Sequence, residues 1–453
     1  MSNYKQFLAA KSITAPAAGI QPGPVNPMAF PFQRDIVTWA LRRGRAAIFA
    51  DCGMGKTFMQ LEWARQIPGR VLILAPLAVA QQTVREGAKF GINVRYLRAD
   101  DGRPGIVIAN YEMAQHFEPG NFAGIVLDES SILKSYSGKF RTYLMQNWTQ
   151  CPYRLACTAS PAPNDYMEMG NHCEFLGVMT GSEMLASFFI NDPGNVGHYR
   201  IKGHAAGVFW QWMASWAVMI RKPSDLGYDD AGFVLPPLNL HEMTVNSNPL
   251  SEDLLFSIEA HTMEERRLAR RASLDSRVGA VVDMANAKTD CQWLVWCDLN
   301  LESAGLAKQI DGAKEVVGSD TAEEKEEQLT AFAEGRLRVL VTKPSIAGFG
   351  MNFQGCHHMA FTGLSDSYEQ FYQAVRRCWR FGQTKPVECY VVTADSEGAV
   401  VQNIKRKEAQ AKALAEGMTQ HMAYISRGEL KKEVRFAVEY TKTSKVEAPK
   451  WML

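Results

Sequence analysis

Residues 47–60 read AIFADCGMGKTFMQ, and their spacing matches a phosphate loop: Ala50, four residues, then Gly55-Lys56-Thr57. The chemistry accounts for each type. Gly53 and Gly55 let the backbone curl so that successive N–H groups face one anion. A helix starting near Thr57 turns its positive end on the same point. Lys56 reaches β- and γ-phosphates, and the Thr57 hydroxyl can hold Mg²⁺. The pattern asks for a nucleoside triphosphate. An ordinary glycine turn is the plain alternative, and the loop alone does not separate a kinase, a transporter or a motor.

Three further groups of residues fit the same chemistry. Asp128-Glu129 ends an apolar run. Asp128 can hold Mg²⁺, and Glu129 can orient and deprotonate an attacking water. Gln33 opens a helix just before the phosphate-loop strand, and its amide can donate and accept at once, which suits an adenine edge. In the segment 366–380, Gln373, Arg377 and Arg380 fall at i, i+4 and i+7 and so share a helical face, with Tyr368, Tyr372, Val375 and Trp379 roughly opposite. Planar guanidiniums on a rigid face suit a phosphate arriving across a cleft, and an arginine brought to the γ-phosphate accelerates its transfer. Read alone, the same residues are a solvated basic face.

The elements that must position these groups repeat along the chain. Five apolar runs end at Ala50, Pro76, Asn110, Glu129 and Ser160, each followed by loop or helix signals. Such runs predict a parallel sheet covered on both faces, with ligands at the carboxyl ends of its strands, so Lys56, Asp128, Glu129 and Thr158 gather at one crevice. The segment VFWQWMASWAVMIRK places Phe209, Trp212, Met213, Trp216 and Ile220 at helical spacing, read as a buried face in preference to a base-stacking one. A Pro- and Gly-rich stretch closes the first unit at Pro236–Pro237. From Leu238 the alternation resumes, with 250–287 helical, strands at WLVWC, KEVVG, LRVLVT, HHMAFTG and VECYVVTA, and a Thr321/Glu324 capping box. The expected fold class is α/β, with two mostly parallel sheets covered by helices and a nucleotide cleft between them. The expected divisions are a flexible lead-in at 1–27, a first lobe at 28–237, a second at 238–415 and an extension at 416–453.

The whole chain sets bounds on this reading. Its 453 residues exceed one compact core. No apolar run approaches the roughly 18 residues of a membrane span, and no secretory leader is evident. A net charge of +1 provides no global attraction to nucleic acid, so any such binding must be local to a cleft. The nine cysteines show no CxxC pair or zinc spacing, which fits reduced thiols. Cys356-His357-His358 reads as buried strand residues in preference to metal ligands.

In this order the motifs resemble those of superfamily 2 helicases, most closely the Swi/Snf-type DNA translocases, over roughly residues 30–395. Phe32-Gln33 resembles the adenine-reading Q motif, ADCGMGKT motif I, VLILAP motif Ia, LDESSILK motif II and CTASPAPND motif III. IRKPSDLG with FVLPPL resembles the element closing the first lobe, and LVWCDLN resembles motif IV. TKPSIAGFGMNF resembles motif V through Gly348, Gly350 and Asn352. QAVRRCWRFGQ resembles motif VI through Gln373, Arg377, Arg380, Gly382 and Gln383. Two positions depart from the family. Ser130-Ser131 stand where motif II usually has Ala-His or Gly-His, a histidine that helps couple hydrolysis to nucleic acid. Arg376 and Trp379 stand where motif VI usually has Asp and His.

The resemblance implies tandem RecA-like lobes and an ATP- and Mg²⁺-dependent motor moving along DNA without sequence preference. Motifs Ia, III, IV and V would line the track. It implies catalytic Lys56, Glu129, Arg377 and Arg380, nucleotide contacts from Gln33, Gly53, Met54, Gly55, Lys56, Thr57 and Gly350, and Mg²⁺ on Thr57 and Asp128. It also implies a monomer without membrane contact, in the cytoplasm of a bacterial or phage-infected cell. An RNA helicase and a nucleic-acid-binding scaffold with an idle ATPase remain the alternatives.

Overall fold

The computed structural model describes residue 15 and residues 17–134, 138–162, 166–191, 199–246, 270–347, 351–365 and 367–431. Two α/β lobes follow one another along the chain. In the first, β1 (Arg45–Ala50), β2 (Val71–Ala75), β3 (Val94–Tyr96), β4 (Ile106–Asn110), β5 (Gly124–Asp128), β6 (Tyr153–Thr158) and β9 (Ala217–Ile220) form one sheet in the order β3-β4-β2-β5-β6-β1-β9. Every pairing in it is parallel. A short hairpin, β7 (Phe189–Asn191) and β8 (Tyr199–Ile201), stands apart. Strands β2, β4 and β5 are buried along their whole length, as strands with helices on both faces must be. One core packs Phe49, Leu74, Leu127, Trp212 and Trp216 on one face, and another packs Ile48, Ile73, Val126 and Trp63 on the other.

The aromatic segment divides where the sequence pattern runs on. Its helix stops at Ala214, and Ala217–Ile220 becomes β9, adding an edge beside β1. Ile220 therefore belongs to a strand. Residues 18–20 hydrogen-bond to the carbonyls of Leu41, Arg42 and Arg43, and the Gly23 amide donates to the Gln66 side chain. Residues of the expected lead-in are thus tied to the helices Pro31–Arg43 and Lys56–Gln66.

The second lobe holds β10 (Leu238–Val245), β11 (Trp293–Cys297), β12 (Ala313–Val316), β13 (Val339–Thr342), β14 (His358–Thr362) and β15 (Val387–Ala394), all parallel, in the order β10-β15-β14-β11-β13-β12. The capping box at Thr321 and Glu324 is formed as the sequence predicts. Of the helical stretch expected at 250–287, the structure describes 270–287, with a helix at Leu274–Ala287; the rest lies outside the described residues.

A long helix, Gly398–Lys431, runs unbroken through the boundary expected at 415–416. Val400 and Ile404 sit in the second-lobe core, whereas Met418 and Met422 enter the first-lobe core beside Phe209 and Trp212. Arg427 donates to the carbonyls of Ser224 and Asp225. The helix is a brace across both lobes. No helix among the described residues is long and apolar enough to cross a membrane.

Candidate functional site

The candidate phosphate loop joins β1 to the helix Lys56–Gln66. Gly53 has φ +91° and Gly55 φ +80°, conformations that glycine adopts at no steric cost. Gln33 braces the loop from the preceding helix. It is buried, its amide N–H donates to the Met54 carbonyl at 3.0 Å, and its oxygen accepts from the Phe30 amide at 3.1 Å. Both halves of the amide are therefore engaged within the protein, with one N–H and one oxygen lone pair left over. The Lys56 ammonium donates to the Ala50 carbonyl at 2.8 Å, at the end of β1. Thr57 lies in the first turn of the helix.

Asp128 ends β5 and is buried. Burial first, and the neighbouring Glu129 second, push its carboxyl up to about 7, against Gln60 and Lys56, which act the other way. A carboxylate so placed gains from a cation. Glu129 is the one non-glycine residue with positive φ among the described residues, at +57°. Such a conformation costs energy and is held by its surroundings. Its Oε2 accepts from the Thr158 hydroxyl at 3.3 Å, so the ends of β5 and β6 are linked at the crevice. Ser130, where the resemblance leads one to expect a small residue before a histidine, bonds to the buried His172 imidazole at 3.1 Å. Burial holds His172 down at about 4, which leaves it neutral.

The second lobe meets this loop through residues that the sequence reading set aside. The helix carrying motif VI spans Tyr368–Val375 and stops there. The carbonyls that would continue it have other partners: that of Arg377 accepts from the Phe353 amide, and that of Cys378 from the Gln383 side chain. Arg377 and Arg380 consequently do not extend one helical face with Gln373. Instead Tyr372 donates its hydroxyl to Asp51 at 2.6 Å. Arg376 donates to the Cys52 carbonyl at 2.5 Å and pairs with Asp51 at 3.3 Å. Burial opposes the Arg376 charge, and Asp51, Tyr372 and Cys52 outweigh it, so its pKa rises. Phe381 lies against the loop, where a Cβ at Gly53 would be 3.0 Å away. Trp379 donates to the Pro236 carbonyl at 2.7 Å.

Arg377 is anchored within its own lobe, donating to the carbonyls of Gln373 and Met351. Arg380 donates to the Asn352 side chain of motif V. Burial and then the Arg377 charge hold Arg380 down at about 10, while Cys52 and Glu86 of the first lobe act to raise it. The Arg380 Nε and both ends of the Gln373 amide are buried without hydrogen-bond partners. Of these, the N–H donors of Arg380 and Gln373 fit an anionic ligand. Gly348 and Gly350 lie outside the described residues.

Asp51, Tyr372 and Arg376 are the residues that sequence reasoning missed. Their one signal was the Arg376 departure from the motif VI pattern. A groove of about 770 Å³ runs between the lobes beside Glu129, lined by Gln81, Arg85 and Ser131 on one side and by Lys325, Ser345 and Met351 on the other. Motif II and motif V residues thus face the same space, while motif III residues Ala159–Ala162 line a second cavity with Tyr372 and Trp379.

Comparison with known proteins bears on the second lobe. Residues 281–382 match the family described as the helicase conserved C-terminal domain. The match takes in β11–β14 and the Gln373–Arg380 segment. It indicates a helicase-superfamily member with a helicase-type, nucleic-acid-dependent function, on a fold of two parallel-sheet lobes consistent with tandem RecA-like domains. No curated protein matches the chain.

Proposed function

We propose that the protein is an ATP- and Mg²⁺-dependent motor of superfamily 2, of the Swi/Snf type, that moves along DNA without reading its sequence. The observation that carries this reading is the contact of Tyr372 and Arg376 with Asp51-Cys52, which puts the second lobe directly against the phosphate loop. A nucleotide site built from both lobes turns binding and hydrolysis into relative lobe movement.

In this reading the loop amides and Lys56 hold the β- and γ-phosphates. Thr57 and Asp128 would hold Mg²⁺, which supplies neutralising charge at the phosphate oxygens. Glu129, oriented by Thr158, takes a proton from the attacking water. Arg380, with Arg377 beside it, meets the charge that develops on the transferred group. The groove beside Glu129 takes one strand of the nucleic acid through its backbone. Gln81, Ser131 and Ser345 offer polar donors there, and such contacts position without reading bases.

The test is phosphate release by the purified chain with duplex DNA, single-stranded DNA or RNA added, alongside triplex displacement and duplex unwinding. Stimulation by DNA together with triplex displacement is expected. Stimulation by RNA alone would make it an RNA helicase, and no phosphate release under any condition would make it a scaffold with an idle site.

A further inference from the structure

Cys291 lies two residues before β11 and His357 one residue before β14, of which His358 is the first residue. The two strands are neighbours, with Trp293 opposite His358, so these residues meet at the amino ends of the second sheet. That is the end opposite the carboxyl ends that face a nucleotide crevice in such folds. There the Cys291 sulfur and one nitrogen from each imidazole lie within 4.8 Å of one another. Cys356, which reads with the two histidines in sequence, takes no part. Its thiol donates to the carbonyls of Gln292 and His358.

The imidazoles are unusual for strand residues. The Nδ1 atoms of His357 and His358 are both buried without a hydrogen-bond partner, and His358 as a whole is only 6% exposed. Burial holds His358 down at about 4 and moves His357 in the same direction, so both rings are neutral with a lone pair to offer.

We propose that Cys291, His357 and His358 form a site for a divalent transition-metal ion of borderline softness, of the Zn²⁺ class, which clasps the amino ends of β11 and β14. One sulfur and two imidazole nitrogens form a familiar donor set for this class, with water or Asp290 in the fourth position. Tetrahedral bonds to these donors put ligand atoms about 3.3–3.8 Å apart, so closure needs about 1 Å of side-chain rotation. The backbone beneath is fixed, because the Glu388 amide donates to the His357 carbonyl. The Cys291 thiol, which points at Asp290 at 3.5 Å, gives up its proton to solvent when the metal–sulfur bond forms. Lys288 is the resident competitor, with its ammonium 3.4 Å from His358 Nε2. The charge balance includes Lys385 on one side and Asp290 and Glu388 on the other.

The site does not rest on the ATPase reading and is tested without it. The full chain, stripped by chelation, is titrated with Co²⁺. One equivalent should bind per chain, with a near-ultraviolet thiolate-to-cobalt band and the visible bands of four-coordinate Co²⁺, all bleached by Zn²⁺. Cys291→Ser should abolish the charge-transfer band and weaken binding at least tenfold. His357→Ala should weaken it comparably, and Lys288→Ala should tighten it. Cys291 and His357 are partly exposed, and circular dichroism in chelator checks that each variant is folded. Absence of stoichiometric uptake, or a spectrum unchanged in folded Cys291→Ser, would overturn the proposal.

Discussion

Removing the Arg376 side chain tests whether the second lobe is latched to the phosphate loop. Arg376→Ala deletes a charged donor to the Cys52 carbonyl and an ion pair with Asp51, whose side chain is 20% exposed. A hydrogen bond from a charged donor contributes about 1.5–3 kcal/mol. The ion pair, discounted for the exposure of Asp51, adds about 1 kcal/mol. Asp51 is not stranded by the change, since Tyr372 and the Cys52 amide still donate to it. A loss of roughly 3 kcal/mol moves an open–closed equilibrium about 100-fold toward open. Because apparent affinity falls with the population of the competent state, KM for ATP should rise by at most about 100-fold. At saturating ATP the closed state is restored, so kcat should stay within about threefold of wild type. Fluorescence transfer between dyes on the two lobes, with and without nucleotide, reads the opening directly. An unchanged lobe separation with an unchanged KM would refute the latch. A fall in kcat alone would move Arg376 from positioning into the chemistry.

The remaining expectations are simpler to measure. Lys56→Ala should abolish ATP turnover, and Glu129→Gln should bind nucleotide but not hydrolyse it; normal turnover in purified Glu129→Gln removes that residue from the mechanism. Arg380→Ala should lower kcat with little change in nucleotide affinity, the reverse of Arg376→Ala, and an unchanged rate counts against it. Without Mg²⁺, Asp128 holds its proton up to about pH 7 when folded but only to its ordinary carboxylate range when unfolded, so its contribution to stability falls as pH rises between those values. Asp128→Asn should therefore gain stability relative to wild type on going from pH 5 to pH 8 without metal, and parallel thermal-unfolding curves would contradict the shift. In Gly55→Ala a Cβ would lie 2.3 Å from the Gln33 amide nitrogen at a φ of +80°. The left-handed backbone costs about 1–2 kcal/mol. Adding Gln33→Ala should relieve the clash but not that backbone cost, as nucleotide-binding titrations of the single and double variants would reveal.

Periodicity and local punctuation make much of the architecture readable in the amino-acid sequence. Continuous apolar runs ending at Pro76, Asn110 and Glu129 become the fully buried strands β2, β4 and β5 because a strand covered on both faces has no polar side to display. Gly53 and Gly55 announce the loop because other residues resist the positive φ found there, and Thr321 with Glu324 announces a helix start through bonds that are local in sequence. Where one apolar pattern served two elements, reading along the chain failed. The aromatic run through Ile220 looks like one helical face, yet it bends at Ser215–Trp216 so that Ala217–Ile220 can pair with β1, a choice made by a partner strand about 170 residues away.

The candidate-site residues follow the same division. The placement of Lys56, Thr57, Asp128 and Glu129 was legible because each lies at or beside a strand end or helix start whose position follows from local chemistry. Tyr372 and Arg376 were not. Their side chains act on Asp51 and Cys52 more than 300 residues earlier, and the helix carrying them ends where carbonyls find partners elsewhere in the lobe. Cys291 joins His357 and His358 for the same reason, through strand adjacency that no spacing encodes. Backbone preference and burial periodicity are properties of short segments and can be read from the amino acids alone. Contacts across lobes and between neighbouring strands exist only once packing has chosen among distant partners.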